Sequence, residues 1–399
     1  GAYAFAEASN FTVNGSSSSM AFGTSANVTG NRFLIKQCDP GISLGSSPNF
    51  SFNNVQRLEP DGCNEVLLST SNGVTVHNNT VYNAGGFTVR GGANNRITNN
   101  ILTGTYSRGI YIDSHYGYGN FWITGNYINL PIYNAIGGSQ DSASANNVVA
   151  NNTLVGGSAT TFNAFYNSNI TGNNFSSTVT PGGSNRFSSN NFSPSSVTVA
   201  WSHNEFYGNA FGTLYVAASN STFANNSIAV LNVSSTNNTF VNDNVTGGVV
   251  HFIGNASAIL LNVSHNSTLT GWTSSVIGNV TRLWFARVNA TKHYGVAVAG
   301  VLVNVSNATG ATPMLVNRTT SGGLTQWLLV TEFVGNNTQN TTYTPFNVTA
   351  WNASFLNSPT LSVTATGTLL VVDALPLVSN ASINETAVGR NETVLFAVN

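Results

Sequence analysis

The sequence predicts an all-β chain, a parallel β-helix of about eleven coils followed by a β-sandwich. Three observations carry this. One short phrase recurs from Val28 to Val245, its internal spacing demands a corner, and beyond residue 280 the pattern changes to plain alternation. The phrase is an apolar residue, two residues, Asn, one residue and a second apolar residue. Its Asn falls at Asn31, Asn53, Asn79, Asn100, Asn126, Asn152, Asn173, Asn190, Asn209 and Asn226, with Asp243 as the nearest substitute. By residue number the steps between these anchors are 22, 26, 21, 26, 26, 21, 17, 19, 17 and 17. A repeat near twenty, rich in strand formers and punctuated by Asn and Gly, is the signature of a solenoid.

The two apolar positions, Val28 and Phe33 in the first copy, are five apart. On a straight strand an odd separation places side chains on opposite faces. Both point inward only if the chain turns a corner at the Asn. The residue before it is usually Asn or Gly, as in Gly30-Asn31, Asn78-Asn79 and Gly125-Asn126. Those residues enter the left-handed backbone region at low cost. Each repeat is therefore read as a strand, a sharp corner, a second strand and a looser return. Stacked copies put apolar side chains inside and let the Asn amides bond along the corner. Eleven rungs at ordinary strand spacing make a rod of roughly 50 Å.

The phrases Ile97-Thr98-Asn99-Asn100-Ile101-Leu102 and Ile123-Thr124-Gly125-Asn126-Tyr127-Ile128 resemble right-handed parallel β-helix repeats of the NosD-like kind, found in archaeal and bacterial surface proteins. The resemblance runs from Val28 to Val245 and implies a right-handed coil. It implies little about activity, because this architecture hosts lyases, hydrolases, epimerases, adhesins and inert stalks alike.

Taken in order, residues 1–26 are expected to be an N-terminal cap or assembly strand, with Ala2–Ala6 as the strand, covering edges the rod would otherwise expose. With neither an initiator Met nor a signal pattern, the sequence reads as mature. Residues 27–278 are the rod, with the phrase fading after residue 250. Its first half carries insertions at Tyr106–Gly119 and Pro131–Ser144. Residues 279–373 read as an immunoglobulin-like sandwich, with strands at Leu283–Val288, Val296–Val305, Met314–Arg318, Leu324–Phe333, Thr344–Trp351 and Leu361–Val372. Residues 374–399 are a tail ending in the apolar run Thr393, Val394, Leu395, Phe396, Ala397 and Val398. That run pairs either with its own sandwich or with the next subunit, and the second arrangement builds a head-to-tail filament. No window is long and apolar enough for a membrane span.

Charged residues are 6% of the chain, with thirteen acids against ten Arg and two Lys. No basic stripe points to nucleic acid and no acidic tail to a basic partner. Solubility must come from Asn, Ser, Thr and sugar. So few carboxylates also suit an acidic medium.

Sugar is the second signal, because Asn-x-Ser/Thr recurs throughout. Up to residue 250 it occurs at Asn10, Asn14, Asn27, Asn49, Asn78, Asn151, Asn169, Asn174, Asn191, Asn220, Asn225, Asn232, Asn237 and Asn244. Thereafter it occurs at Asn255, Asn262, Asn266, Asn279, Asn289, Asn304, Asn307, Asn317, Asn336, Asn340, Asn347, Asn352, Asn380, Asn384 and Asn391. Only Asn337, Asn357 and Asn399 of that second part fall outside a sequon. A surface coated with N-linked glycan, and hence export, is the expectation. Cys38 and Cys63 are close to one coil apart in the chain and are expected to form a disulfide between neighbouring rungs. No metal-ligand spacing, phosphate loop or dinucleotide fingerprint occurs, and no cofactor is expected.

The best catalytic constellation is Tyr111-Ile112-Asp113-Ser114-His115-Tyr116, with Arg90, Arg108 and Asp141 placed for neighbouring coils. Arg would neutralise a uronate carboxylate, and His or Tyr would move the proton. The Asp-x-His phrase is faintly similar to that of alginate epimerases but lacks its flanking pattern, and a polar turn is the favoured reading. Glu59, Asp61 and Glu65 likewise read as a solvated loop before a calcium turn. The resulting expectation is a non-enzymatic structural glycoprotein of a microbial, archaeal-type cell surface, polymerising with itself. A secreted polysaccharide lyase or epimerase is the alternative. So is a glycan-binding adhesin using Tyr116, Tyr118 and Trp122.

Overall fold

The computed structural model describes residues 5–13, 20–36, 41–58, 65–69, 72–83, 86–90, 92–104, 108–113, 119–130, 135–138, 144–156, 160–163, 165–247, 250–265, 278–292, 295–307, 315–336, 339–352, 355–361 and 367–372. Strands form its regular structure, and the chain divides into two compact units, Gly1–Val280 and Thr281–Asn399.

The first unit is the solenoid. The strand before each anchor pairs in parallel with its counterpart one coil on. Val28 sits opposite Phe50, Phe50 opposite Val76, Val76 opposite Ile97, and so on to Phe223 opposite Phe240. The strands after the anchors make a second face in the same way, with Phe33 opposite Val55 and Leu102 opposite Ile128. A third face of six strands runs from Met20–Phe22 to Ile136–Gly138. Both apolar positions of the phrase are buried in every coil, as the corner requires.

Every residue before an anchor takes the left-handed conformation. Gly30, Asn78, Asn99, Gly125, Asn151, Gly172, Gly208, Asn225 and Asn242 do so at little cost, and Phe52 and Ser189 join them. This corner turns the inward face through the odd spacing. The anchors themselves form one hydrogen-bonded column. Asn100 donates its backbone N–H and its Nδ2 to Oδ1 of Asn126, at 2.9 and 3.0 Å. Asn126 does the same to Asn152, at 2.9 Å in both bonds. From Asn53 to Asn226 a further bond runs from each anchor Nδ2 to the apolar residue's carbonyl one coil back, as from Asn126 to Ile97 at 2.9 Å. The column continues through Asn226, whose N–H and Nδ2 meet Oδ1 of Asp243 at 2.7 and 2.9 Å. Buried amides are tolerated because each finds its partners within the column.

The solenoid extends further at both ends than the phrase alone indicates. Phe5–Glu7 pairs with Asn27–Thr29 and Asn10–Val13 with Arg32–Ile35, so residues set aside as a cap form a coil of their own. Ser9 stands at its anchor position and donates its backbone N–H to Asn31 Oδ1. At the far end Val250–Phe252, Ala258–Leu261 and Ser264–His265 complete a coil in which buried Val263 replaces the Asn.

In the second unit Leu302–Asn307 lies antiparallel between Leu315–Arg318 and Phe346–Asn352. A second layer holds Val280–Thr291, which pairs in parallel with Gly367–Val372, and Leu328–Gly335, which pairs with Asn340–Thr342. Trp284, Val288, Val303, Val305, Val330, Phe346 and Val348 share one core between the layers, which makes a sandwich. The strand expected over Val296–Val305 begins only at Leu302, and of that expected over Leu361–Val372 the described residues form Thr360–Leu361 and Gly367–Val372. Trp284 Nε1 donates to Glu332 Oε2, which also pairs with Arg282 at 3.0 Å, closing a polar cluster at the edge of this core.

Candidate functional site

With the lumen filled by apolar side chains and Asn columns, chemistry is confined to the outer faces and corners. A sequon needs Ser or Thr two positions after its Asn. Residues two apart share a face of a strand, and an inward apolar residue follows each anchor by two. No anchor can therefore be a sequon, and sequon residues are forced outward. On the solenoid Asn10, Asn27, Asn49, Asn78, Asn151, Asn169, Asn174, Asn191, Asn220, Asn225, Asn232, Asn237, Asn244, Asn255 and Asn262 are all exposed or half-buried. So are Asn279, Asn289, Asn304, Asn307, Asn317, Asn336, Asn347 and Asn352. Among these, Asn289 and Asn304 each hold a buried Oδ1 without a partner. Asn14, Asn266, Asn380, Asn384, Asn391 and the side chain of Asn340 lie outside the described residues, as do Cys38, Cys63 and the run Thr393–Val398.

The suspected catalytic patch is brought together in part. Arg90 and Asp113 are register neighbours on the third face, and Arg90 Nε lies 3.4 Å from Asp113 Oδ2. Arg108 lies over the Tyr111 ring, 4.0 Å from its centroid. Each arginine is thus engaged by its own neighbour. Ser114, His115, Tyr116 and Asp141 lie outside the described residues, as do Glu59, Asp61 and the side chain of Glu65. Trp122, considered as an open sugar platform, is half-buried and covered by Arg96 at 5.2 Å. Tyr118 lies outside the described residues.

A different place gathers ionisable groups. Asn167, Ser168, Asn169, Ser184, Asn185, Arg186, His203 and Glu205 line a shallow cavity of about 410 Å³ across three consecutive coils. Asn169, Arg186 and Glu205 are register partners on the first face. Asn167, Ser184 and His203 stand on the second left-handed corner, six positions before their anchors. The floor is a second hydrogen-bonded column, in which Ser168 N–H meets Asn185 Oδ1 at 3.0 Å and Asn185 N–H meets Asn204 Oδ1 at 2.9 Å. Sequence reasoning missed this groove. Its signal is the coil step itself, since Ser184 precedes His203, and Arg186 precedes Glu205, by the same step that separates Asn190 from Asn209.

Residues 5–185 match the family model described as periplasmic copper-binding protein (NosD), which supports a right-handed parallel β-helix of that type. The match spans less than half of the chain. Among the described residues no three His, Cys, Asp or Glu side chains gather where a metal ion would sit. No curated protein matches the sequence. Among solved structures the chain is similar to a tailspike protein of the E. coli bacteriophage HK620, solved in complex with a pentasaccharide. The identity is 11% and the TM-score 0.34, over 87% of this chain and 73% of that one, too distant for any residue or activity to be transferred. Among the described residues no helix is long and apolar enough to cross a membrane.

Proposed function

We propose that this protein is a non-enzymatic structural glycoprotein of a microbial cell surface, of archaeal type, and the repeating subunit of an extracellular filament. The observation that carries the reading is the outward placement of sequons along both units, on a rod whose described interior is mainly apolar side chains and columns of hydrogen-bonded Asn and Ser ending at Asp243. A charge-poor surface of this kind gains solubility from attached sugar. In this reading the rod is a spacer, the sandwich a joint, and the terminal run Thr393–Val398 the strand exchanged between neighbours. The ion pair between Arg90 and Asp113 supports a structural rather than a catalytic role for that patch. A disulfide between Cys38 and Cys63 completes the reading for an oxidising compartment.

Electron microscopy of the natively glycosylated protein tests the assembly, with peptide mass spectrometry of the same sample for the sugars. Ordered filaments that disappear on deletion of residues 393–399 are expected, with glycan on the outward sequons. Dispersed monomers, or bare sequons, would overturn the reading. Turnover of an acidic polysaccharide, abolished by Asp113→Ala with His115→Ala, would replace it with the lyase or epimerase.

A further inference from the structure

We infer that the groove between Asn167 and Glu205 is a saccharide-binding seat. Its residues come from three successive coils, so their spacing is fixed by the strand ladder rather than by a loop. Arg186 and Glu205 are opposite charges on adjacent strands, a placement that ordinarily closes an ion pair. Arg90 and Asp113, in the same relation on the third face, do close one. Among the described residues the side chains of Arg186, His203 and Glu205 have no protein partner. A guanidinium, an imidazole and a carboxylate are therefore held around one cavity with their hydrogen-bonding capacity unused. In a chain with 6% charged residues this concentration is exceptional.

Two aromatic residues, Tyr166 and Trp201, lie beside the lining residues Asn167 and His203 in the chain. Trp201, two positions before His203, is 42% exposed. It meets Tyr166 edge to face, with ring centroids 6.5 Å apart. Gly183 makes room for that tyrosine, since a Cβ there would lie 3.2 Å from the Tyr166 ring. Planar polar groups that take hydroxyls in pairs, beside aromatic rings that take the apolar face of a pyranose, suit a sugar. A phosphate backbone would be repelled by Glu205. A peptide adding as a strand would find no open edge, because this face is paired on both sides. Arg186 further favours a residue bearing a carboxylate, such as a hexuronate.

Two sources of sugar reach the groove. Asn169 lies in it and begins the sequon Asn169-Ile170-Thr171, so a glycan attached there would seat itself. A separate polysaccharide or a neighbour's glycan would do so in trans. The full-length Asn169→Gln protein, which lacks that attachment, is exposed to an array of neutral and hexuronate oligosaccharides. In parallel, the rate at which an endoglycosidase releases the Asn169 glycan is measured in otherwise wild-type protein. Binding on the array, or slow release from Asn169, is expected, and Arg186→Ala with Glu205→Gln should weaken the first or speed the second by about tenfold or more. Trp201→Ala should act in the same direction. All three side chains are at the surface, so an unchanged melting curve separates lost binding from lost folding. No array binding together with ordinary release would overturn the inference, as would binding or slow release that the variants leave unchanged. Filaments seen by microscopy would survive either outcome.

Discussion

From Phe5 to Val155 successive anchors of the solenoid lie 21 to 26 apart in the chain and the coils have a separate third face, whereas the four steps from Asn173 to Asp243 are only 17 to 19. In the wide half the columns beside the corner are mainly Val, Ile and Leu, as in Val76, Ile97, Ile123 and Val149. In the narrow half the third face is absorbed into long second-face strands, Asn191–Val199, Ala210–Val216 and Ser227–Val233. There Phe187, Phe206, Phe223 and Phe240 stack ring on ring, with centroids 4.8, 4.9 and 4.7 Å apart. Those distances equal the separation of neighbouring strands. A coil that closes with fewer residues must fill its lumen with larger ones, and aromatic rings repeat at the ladder's own spacing. Insertions accordingly belong to the wide half. The open groove around Arg186 belongs to the narrow one, where short coils bring three successive corners into register.

Removing one ring from the Phe stack is the strongest way to break this contrast. Phe206→Ala should cost about 4 kcal/mol, against about 2 kcal/mol for Val149→Ala in the wide half. Thermal or denaturant unfolding of the solenoid measures both. Equal losses would mean that the larger rings of the narrow half hold it together no better than the smaller aliphatic columns of the wide half.

Asp243 sharpens the comparison at the end of the Asn column. Its Oδ1 accepts from Asn226, and its Oδ2 is buried with no partner. Burial pushes its pKa up from 3.8 to about 7, against the hydrogen bonds from Asn226 that lower it. The folded chain thus holds a proton that the unfolded chain releases. This contribution to stability is complete below the unfolded value of 3.8 and is lost as pH rises to about 7. Asp243→Asn should flatten the pH dependence in that window and stabilise neutral solutions by up to about 4 kcal/mol. Parallel melting curves of the two proteins across that range would show the idea to be wrong.

Within the wide half, Asn126→Ala should cost about 3 kcal/mol, because it leaves Asn100 N–H and Nδ2 without their acceptor, and the Ile97 carbonyl without its donor. A loss no larger than at an exposed Asn, such as Asn54, would argue that water replaces the column. The smallest effect is expected at Phe52, which occupies a left-handed corner at φ 56° with its side chain 61% exposed. Phe52→Asn should stabilise by about 1 kcal/mol, because Asn meets less strain there.

The corner, the inward pair and the main Asn column were legible in the sequence because one phrase carries all three. The second column was not. It runs five positions ahead of the anchors, through Asn147, Ser168, Asn185, Asn204, Ser221 and Asn238. Ala26, Pro48, Val74 and Phe121 break it at earlier coils. Ser and Asn substitute for one another in it because either oxygen accepts the N–H that the corner leaves, so the position lacks a fixed letter. The terminal coils were hidden for the same reason, since Ser9 and Val263 stand where the phrase has Asn.

The sequence by itself determined the coil, its period and the segregation of buried from sequon asparagines. Each depends on residues within one turn of chain and on the strand's two-residue periodicity. Only the tertiary structure decided which coils face which. Stacking set Arg90 against Asp113 as a closed pair, and it left Arg186 and Glu205 open around a groove. Both pairs look alike as letters one coil apart. They differ in whether the two side chains meet across the ladder, which no spacing along the chain encodes.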